Sequence, residues 1–335
     1  MNIIFYGASV TAQKEQAGYY HALKRMFNDR PDIEFHQVSF AASVFDQAGF
    51  AFMRSIEDYT SEGDVCFIDW LTPSAAKFNK DKISALTAYI VSLGALPVWV
   101  NFPRLDDLNN ERPCYEQIRQ HCIELGLPFI DAWKDPKVNS VPIEEVLRDV
   151  VHTTPLGGQL YADVLASFIY RLTATQLSVQ KNIMGALSEY KAPALVTKEI
   201  ILDNSKQINL TFNVPYSIRF ELYFLAEIDS YTPLLSLEFT NLTSQETETY
   251  QVNCLDIWSH YNRSKCIKVL WLKVDKGDYR LSIKSLNKPA IDEVEVKKPV
   301  DKDIYPDNQP LLLPIQQMSC NVDLKEIITE ELNHV

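Results

Sequence analysis

Asn2-Ile3-Ile4-Phe5-Tyr6-Gly7-Ala8-Ser9-Val10-Thr11 runs from a short apolar strand directly into a Gly-Ala-Ser turn. Residues 12–28 then carry Tyr19, Leu23, Met26 and Phe27 at helical spacing. Strand, turn and helix in that order make the first unit of a parallel sheet, and Ser9 falls at the carboxyl end of the strand, where open α/β sheets place their ligands. Its hydroxyl is expected near the amino end of the helix, whose free N–H groups and dipole can stabilise an oxyanion. Gly7 allows the tight turn. A serine here also serves as an ordinary helix cap, and the turn is not a G-x-S-x-G elbow, because Thr11 stands where the second glycine belongs.

Working outward, residues 1–185 keep alternating short apolar runs with amphipathic ones, the pattern of a parallel sheet with helices on both faces. Strands are expected at Ile33 to Phe40, Asp64 to Trp70, Leu96 to Val100 and Pro128 to Asp131; helices are expected at Phe52 to Tyr59 and over 81–93, 114–125 and 156–173. The run Asp64 to Trp70 is almost wholly apolar, as a central strand buried on both faces requires. After residue 190 the texture changes. Short alternating, aromatic-rich runs between turn residues predict an all-β antiparallel sandwich, jelly-roll-like, over 190–287, with the apolar strand holding Trp271 in its core. Residues 288–335 read as a charged, Pro-containing linker, then an apolar patch at Leu311 to Ile315 and a helix from Asp323 to Leu332.

Composition narrows the function. The 335 residues include 44 acidic and 32 basic side chains, a formal charge of -12, which speaks against holding nucleic acid or an anionic membrane. Only 10 glycines are present, and neither G-x-G-x-x-G nor the P-loop pattern occurs, so phosphate-cradling loops are not expected. The six cysteines form no C-x-x-C pair, and Cys66 reads as a small buried hydrophobe. With no signal-peptide pattern and no apolar stretch long enough to span a bilayer, a cytoplasmic protein is expected. Oligomeric state is not legible.

The second informative block is Asp149-Val150-Val151-His152, followed by Thr153-Thr154-Pro155. Pro155 suits the first turn of a helix, so His152 falls in the loop before it. A nucleophilic serine needs a base to take its proton, and the base needs a carboxylate to fix its tautomer. Asp149 and His152, three apart in one loop, supply both. No third or fourth ligand for a metal is evident.

With an early G-x-S block and a late D-x-x-H block, residues 1–175 resemble the SGNH (GDSL-like) hydrolase superfamily. The resemblance implies a flavodoxin-like three-layer α/β/α sandwich with a parallel sheet, and acyl-ester chemistry through Ser9, His152 and Asp149. It also implies oxyanion donors from the Ser9 N–H and from a glycine block, here Gly49. The family's G-x-N-D block is not matched: the sequence reads Ile68-Asp69-Trp70-Leu71-Thr72-Pro73. Either Thr72 or Asn101, at the end of the next strand, replaces the missing amide, or the Ser9 and Gly49 N–H groups suffice.

Asp69 and Thr72 are further candidates for holding substrate hydroxyls, Asp69 alternatively as a capping carboxylate. Arg104 either clamps a sugar or anionic substrate or pairs with Asp106 or Asp107. In the sandwich, Trp258, His260 and Tyr261 are candidates for stacking on sugar rings. The expectation is therefore a serine esterase or O-deacetylase acting on an acylated glycan, without metal or organic cofactor. One alternative is an O-acetyltransferase of surface polysaccharide that would use acetyl-CoA as donor. Another is a catalytically weak glycan-binding protein.

Overall fold

A computed structural model of the chain describes residues 1–172, 192–255, 263–290 and 311–332, apart from 75, 108–111, 198 and 230–231. It divides into two compact units, Met1–Ala192 and Pro193–Val335.

The first unit is built on five parallel strands: β1 (Asn2–Gly7), β2 (Glu34–Ser39), β3 (Val65–Asp69), β4 (Leu96–Asn101) and β5 (Phe129–Asp131). Their order is β2-β1-β3-β4-β5, the flavodoxin-like arrangement. Helices α1 (Tyr19–Met26), α2 (Lys80–Ser92), α3 (Pro113–Leu125), α4 (Pro136–Asn139), α5 (Ile143–Val146) and α6 (Pro155–Ile169) connect or follow the strands. Because the order reverses after β2, right-handed crossovers put α1 on one face of the sheet and α2 and α3 on the other. On the first face Ile3, Phe5, Val65, Phe67 and Val98 form one core with Tyr19 and Leu23 of α1 and Tyr161 and Leu165 of α6. Phe5 stacks on Phe67 with centroids 5.2 Å apart. Trp99 alternates to the opposite face, against Phe45.

Two expected helices are shorter or tighter than their periodicity suggests. The span 12–28 is helical only from Tyr19, so residues 10–18 form a loop; the span at Phe52 to Tyr59 is a 3-10 turn, Met53–Tyr59. Cys66 is fully buried.

The second unit contains β6 (Ala194–Val196), β7 (Ile200–Leu202), β8 (Lys206–Val214), β9 (Ile218–Ile228), β10 (Pro233–Asn241), β11 (Thr247–Asn253), β12 (Arg263–Val274), β13 (Gly277–Pro289), β14 (Leu313–Cys320) and β15 (Leu324–Glu331). One antiparallel sheet has the order β11-β10-β13-β8-β15; the other runs β12-β9-β14-β6, with β7 also on β14. Their inner faces share one core that includes Leu210, Phe212, Phe220, Phe224, Leu237 and Leu281. The nested pairs β8 with β15, β9 with β14 and β10 with β13 are those of an antiparallel ribbon rolled on itself.

Two expectations change. The segment from Asp323 to Leu332 is a strand, Leu324–Glu331, not a helix, and with β14, which takes in most of the expected apolar patch, it adds to the sandwich. Trp271 is not core: it is 48% exposed. A bulge between Lys268 and Leu270 shifts the phase of β12, so Val269 and Leu270 are both buried and Trp271 turns outward. Trp258, His260, Tyr261 and most of the expected linker (291–310) lie outside the described residues. No described helix is long and apolar enough to cross a membrane.

Candidate active site

The loop after β1, the loop after β2 and the loop before α6 surround a cleft of about 1020 Å³, lined by Ser9, Gln13, Lys14, Glu15, Gln16, His21, Ala41, Arg148, His152 and Thr153 among others. Ser9 sits in a turn closed by Ala12 N–H to Ala8 C=O (2.9 Å). The first α-helix starts only at Tyr19, so Ser9 does not stand at its amino end as expected.

The Asp149 carboxylate accepts three N–H groups from its own loop: Val151 N (3.0 Å), His152 N (2.9 Å) and His152 Nδ1 (2.9 Å). Partial burial raises this carboxyl, but the two backbone N–H groups and the imidazole outweigh it and hold Asp149 below the usual carboxylate range. The ring is thereby oriented with Nε2 as its available nitrogen. No hydrogen bond joins Ser9 to His152 in this structure.

Two loops separated by 140 positions are tied by one amide. Buried Gln13 accepts from Thr153 N (3.1 Å) and Thr153 Oγ1 (2.8 Å), and its Nε2 donates to Thr153 C=O at 3.3 Å. Gln13 belongs to the Ser9 loop and Thr153 follows His152. Thr154 caps α6 by accepting from Gly157 N (3.1 Å), with Pro155 at the first position, as expected. A Cβ on Gly158 would collide with the carbonyl of Ala17, so glycine here lets α6 approach the serine loop.

Asp69 does not reach the cleft. It is 1% exposed and accepts from Thr11 Oγ1 at 2.8 Å and from Thr72 Oγ1. The Tyr19 hydroxyl lies 2.8 Å from the same Thr11 oxygen. Burial pushes the Asp69 carboxyl up to about 7, against the lowering effects of Thr72, Thr11 and Arg112. Asp69 therefore anchors the serine loop to β3 through Thr11, and Thr72, fully buried beside it, has its hydroxyl on Asp69.

The remaining expected donors and clamps are likewise engaged elsewhere. Asn101 donates to Asp131 (2.9 Å) and accepts from Arg112 (3.1 Å), so its amide is directed along the sheet edge. Arg104 pairs with Asp106 through two bonds of 2.7 Å and donates to Thr72 C=O. Gly49 is buried in a π-helical turn, Phe45–Gly49, with the Trp70 ring where its Cβ would be; it is not among the cleft-lining residues. Next to Ala41 on the cleft wall, however, Ala42 is held at φ 53°, a left-handed conformation uncommon outside glycine. Strain of this kind clusters at functional sites. A search for glycines overlooks it because the residue is alanine.

Gln13, His21 and Arg148 thus join the site without having been singled out in the sequence. A lone Gln or Arg carries no local signal. Their roles come from which loops meet.

No family model matches the sequence, and no curated protein does. Solved structures do. A member of the lipolytic protein G-D-S-L family from Veillonella parvula is 13% identical, with a TM-score of 0.42, covering 51% of this chain and 100% of its own. The psychrotrophic esterase EstA from a Pseudoalteromonas species is 15% identical, with a TM-score of 0.39, covering 51% of this chain and 97% of its own. A Bacillus subtilis protein is 15% identical at a TM-score of 0.43, and the match spans 51% of this chain and only 56% of that one. The fold assignment rests on the strand order, and the chemistry on the cleft.

Proposed function

We propose that the first unit is a serine-dependent acyl-ester hydrolase acting on an O-acylated carbohydrate. The observation that carries this is the opening of Ser9 and an Asp149-oriented His152 onto one cleft, from loops clasped together by Gln13 and Thr153. Polar side chains line much of that cleft, including Lys14, Glu15, Gln16, His21 and Arg148. Those side chains offer hydrogen-bonding partners for a sugar's hydroxyl groups, beside an apolar wall that includes Ala12, Ala17, Ala41 and Pro155.

In this reading His152 Nε2 takes the Ser9 proton as Oγ attacks the acyl carbonyl, and Asp149 stabilises the imidazolium that results. The oxyanion is met by the backbone N–H of Ser9. His152 then protonates the departing sugar oxygen. Water, deprotonated by the same nitrogen, attacks the acyl-serine and releases the acid. This sequence of steps uses no metal or organic cofactor.

The test is hydrolysis of p-nitrophenyl acetate and of an acetylated sugar by purified protein. Ser9→Ala is expected to lower kcat/KM by on the order of 10⁴-fold or more. Retention of the parent activity by Ser9→Ala would refute the nucleophile. Transfer from acetyl-CoA to a glycan faster than hydrolysis would move the acceptor from water to a sugar hydroxyl.

A further inference from the structure

On the second unit, the outer face of β12 and β9 carries a cluster that ester chemistry does not use. Trp271 on the edge strand donates from its indole Nε1 to Glu221 at 3.2 Å. The Arg219 guanidinium carbon lies 4.1 Å from the indole centroid, and Lys268 Nζ lies 4.6 Å from it. Lys273 is the cross-strand partner of Arg219. Lysines on an edge strand keep sheets from adding to one another, which accounts for Lys268 and Lys273. It does not account for a half-exposed indole held by three partners.

The charges on this face are unbalanced. Glu221 is engaged by Trp271 and by the Tyr223 hydroxyl at 2.9 Å. Arg219, Lys268 and Lys273 have no ion-pair partner among the described residues. In a chain of formal charge -12, Arg219 and Lys268 over one aromatic ring, with Lys273 across the strand pair from Arg219, form a local anion-attracting patch. An arginine stacked on an indole is also restrained, with its donor fork at the edge of the stack, where a carboxylate can be met by two parallel N–H groups.

We propose that Arg219, Lys268 and Lys273, arranged around Trp271, bind the carboxylates of an acidic glycan, a uronate-bearing chain whose C–H faces pack on the indole surface left exposed. This rests on the esterase reading in one respect: it names the polymer that would carry the acyl groups. Binding itself requires no turnover, so the two stand or fall separately.

The full chain is titrated at low salt with polygalacturonate, polyglutamate or neutral dextran while iodide quenching of tryptophan fluorescence is followed. Trp70 and Trp99 are fully buried, and Trp271→Phe identifies the share of quenching that belongs to Trp271. Polygalacturonate is expected to shield Trp271, and the other two polymers are not. Arg219→Lys, which keeps the charge and loses the fork, is expected to weaken binding about tenfold. Lys268→Gln with Lys273→Gln is expected to reduce the salt dependence. Ser9→Ala is expected to bind as the parent does, whatever its activity. Equal shielding by dextran or polyglutamate, or unchanged affinity in Arg219→Lys with an unchanged melting curve, would overturn the proposal.

Discussion

Replacing Asp69 by asparagine will remove a pH dependence that this carboxyl imposes on the first unit. Burial raises Asp69 from 3.8 to about 7, so between those values the folded chain holds a proton that the unfolded chain has released. Stability is then fully present below about pH 4 and is lost as pH rises through 7. The slope approaches about 1.4 kcal/mol per pH unit, and about 4 kcal/mol accumulates across the window. An asparagine side chain keeps the shape and has no charge to desolvate, so the stability of Asp69→Asn should be flat where the parent's falls. Urea unfolding at several pH values between 4.5 and 8 reads this through Trp70 and Trp99, both fully buried in this unit. The parent is expected to lose stability relative to Asp69→Asn as pH rises, the two curves converging or crossing by pH 8. Parallel curves across the whole range would refute the assignment of a neutral, buried Asp69.

Three further outcomes follow from the site. Gln13→Leu leaves the buried Thr153 N–H without its acceptor, which should cost about 1–3 kcal/mol; with the two loops uncoupled, kcat should fall by on the order of 10²-fold with KM little changed, in steady-state kinetics. Ala42→Gly relieves a left-handed alanine, worth about 1–2 kcal/mol, against about 0.5–1 kcal/mol of added chain entropy; the melting temperature should hold or rise, whereas Ala42→Val should lower it. Gly158→Ala drives a methyl into the Ala17 carbonyl, so thermal unfolding should show a loss of about 2 kcal/mol or more, in the range of overpacking.

Where the sequence misled, the cause was a bulge or a long-range contact. In Leu324–Glu331 the apolar residues Leu324, Ile327 and Ile328 fall three and four apart, the spacing of a helix. The segment pairs with β8 instead, through a register shift between Leu324 and Glu326, and one extra residue converts a period of two into an apparent period near three. The bulge in β12 exposes Trp271 by the same geometry. Asp69, Thr72, Asn101 and Arg104 were correctly located at or just beyond strand ends. Their side chains were not legible, because Thr11, Arg112 and Asp106, which claim them, are fixed by chain crossings and loop closures that periodicity does not encode.

The sequence by itself determined the parallel α/β unit, the later antiparallel strands, and the positions of Ser9 and of the Asp149-His152 pair. These depend on local hydrophobic period, turn residues and spacing within one loop. Only the tertiary structure decided that Gln13 clasps Thr153, that Asp69 is buried as an anchor of the serine loop, and that Gly49 packs against the Trp70 ring. Each of those depends on which distant groups meet where water is excluded, and there an unpaired polar atom is costly enough to dictate its partner.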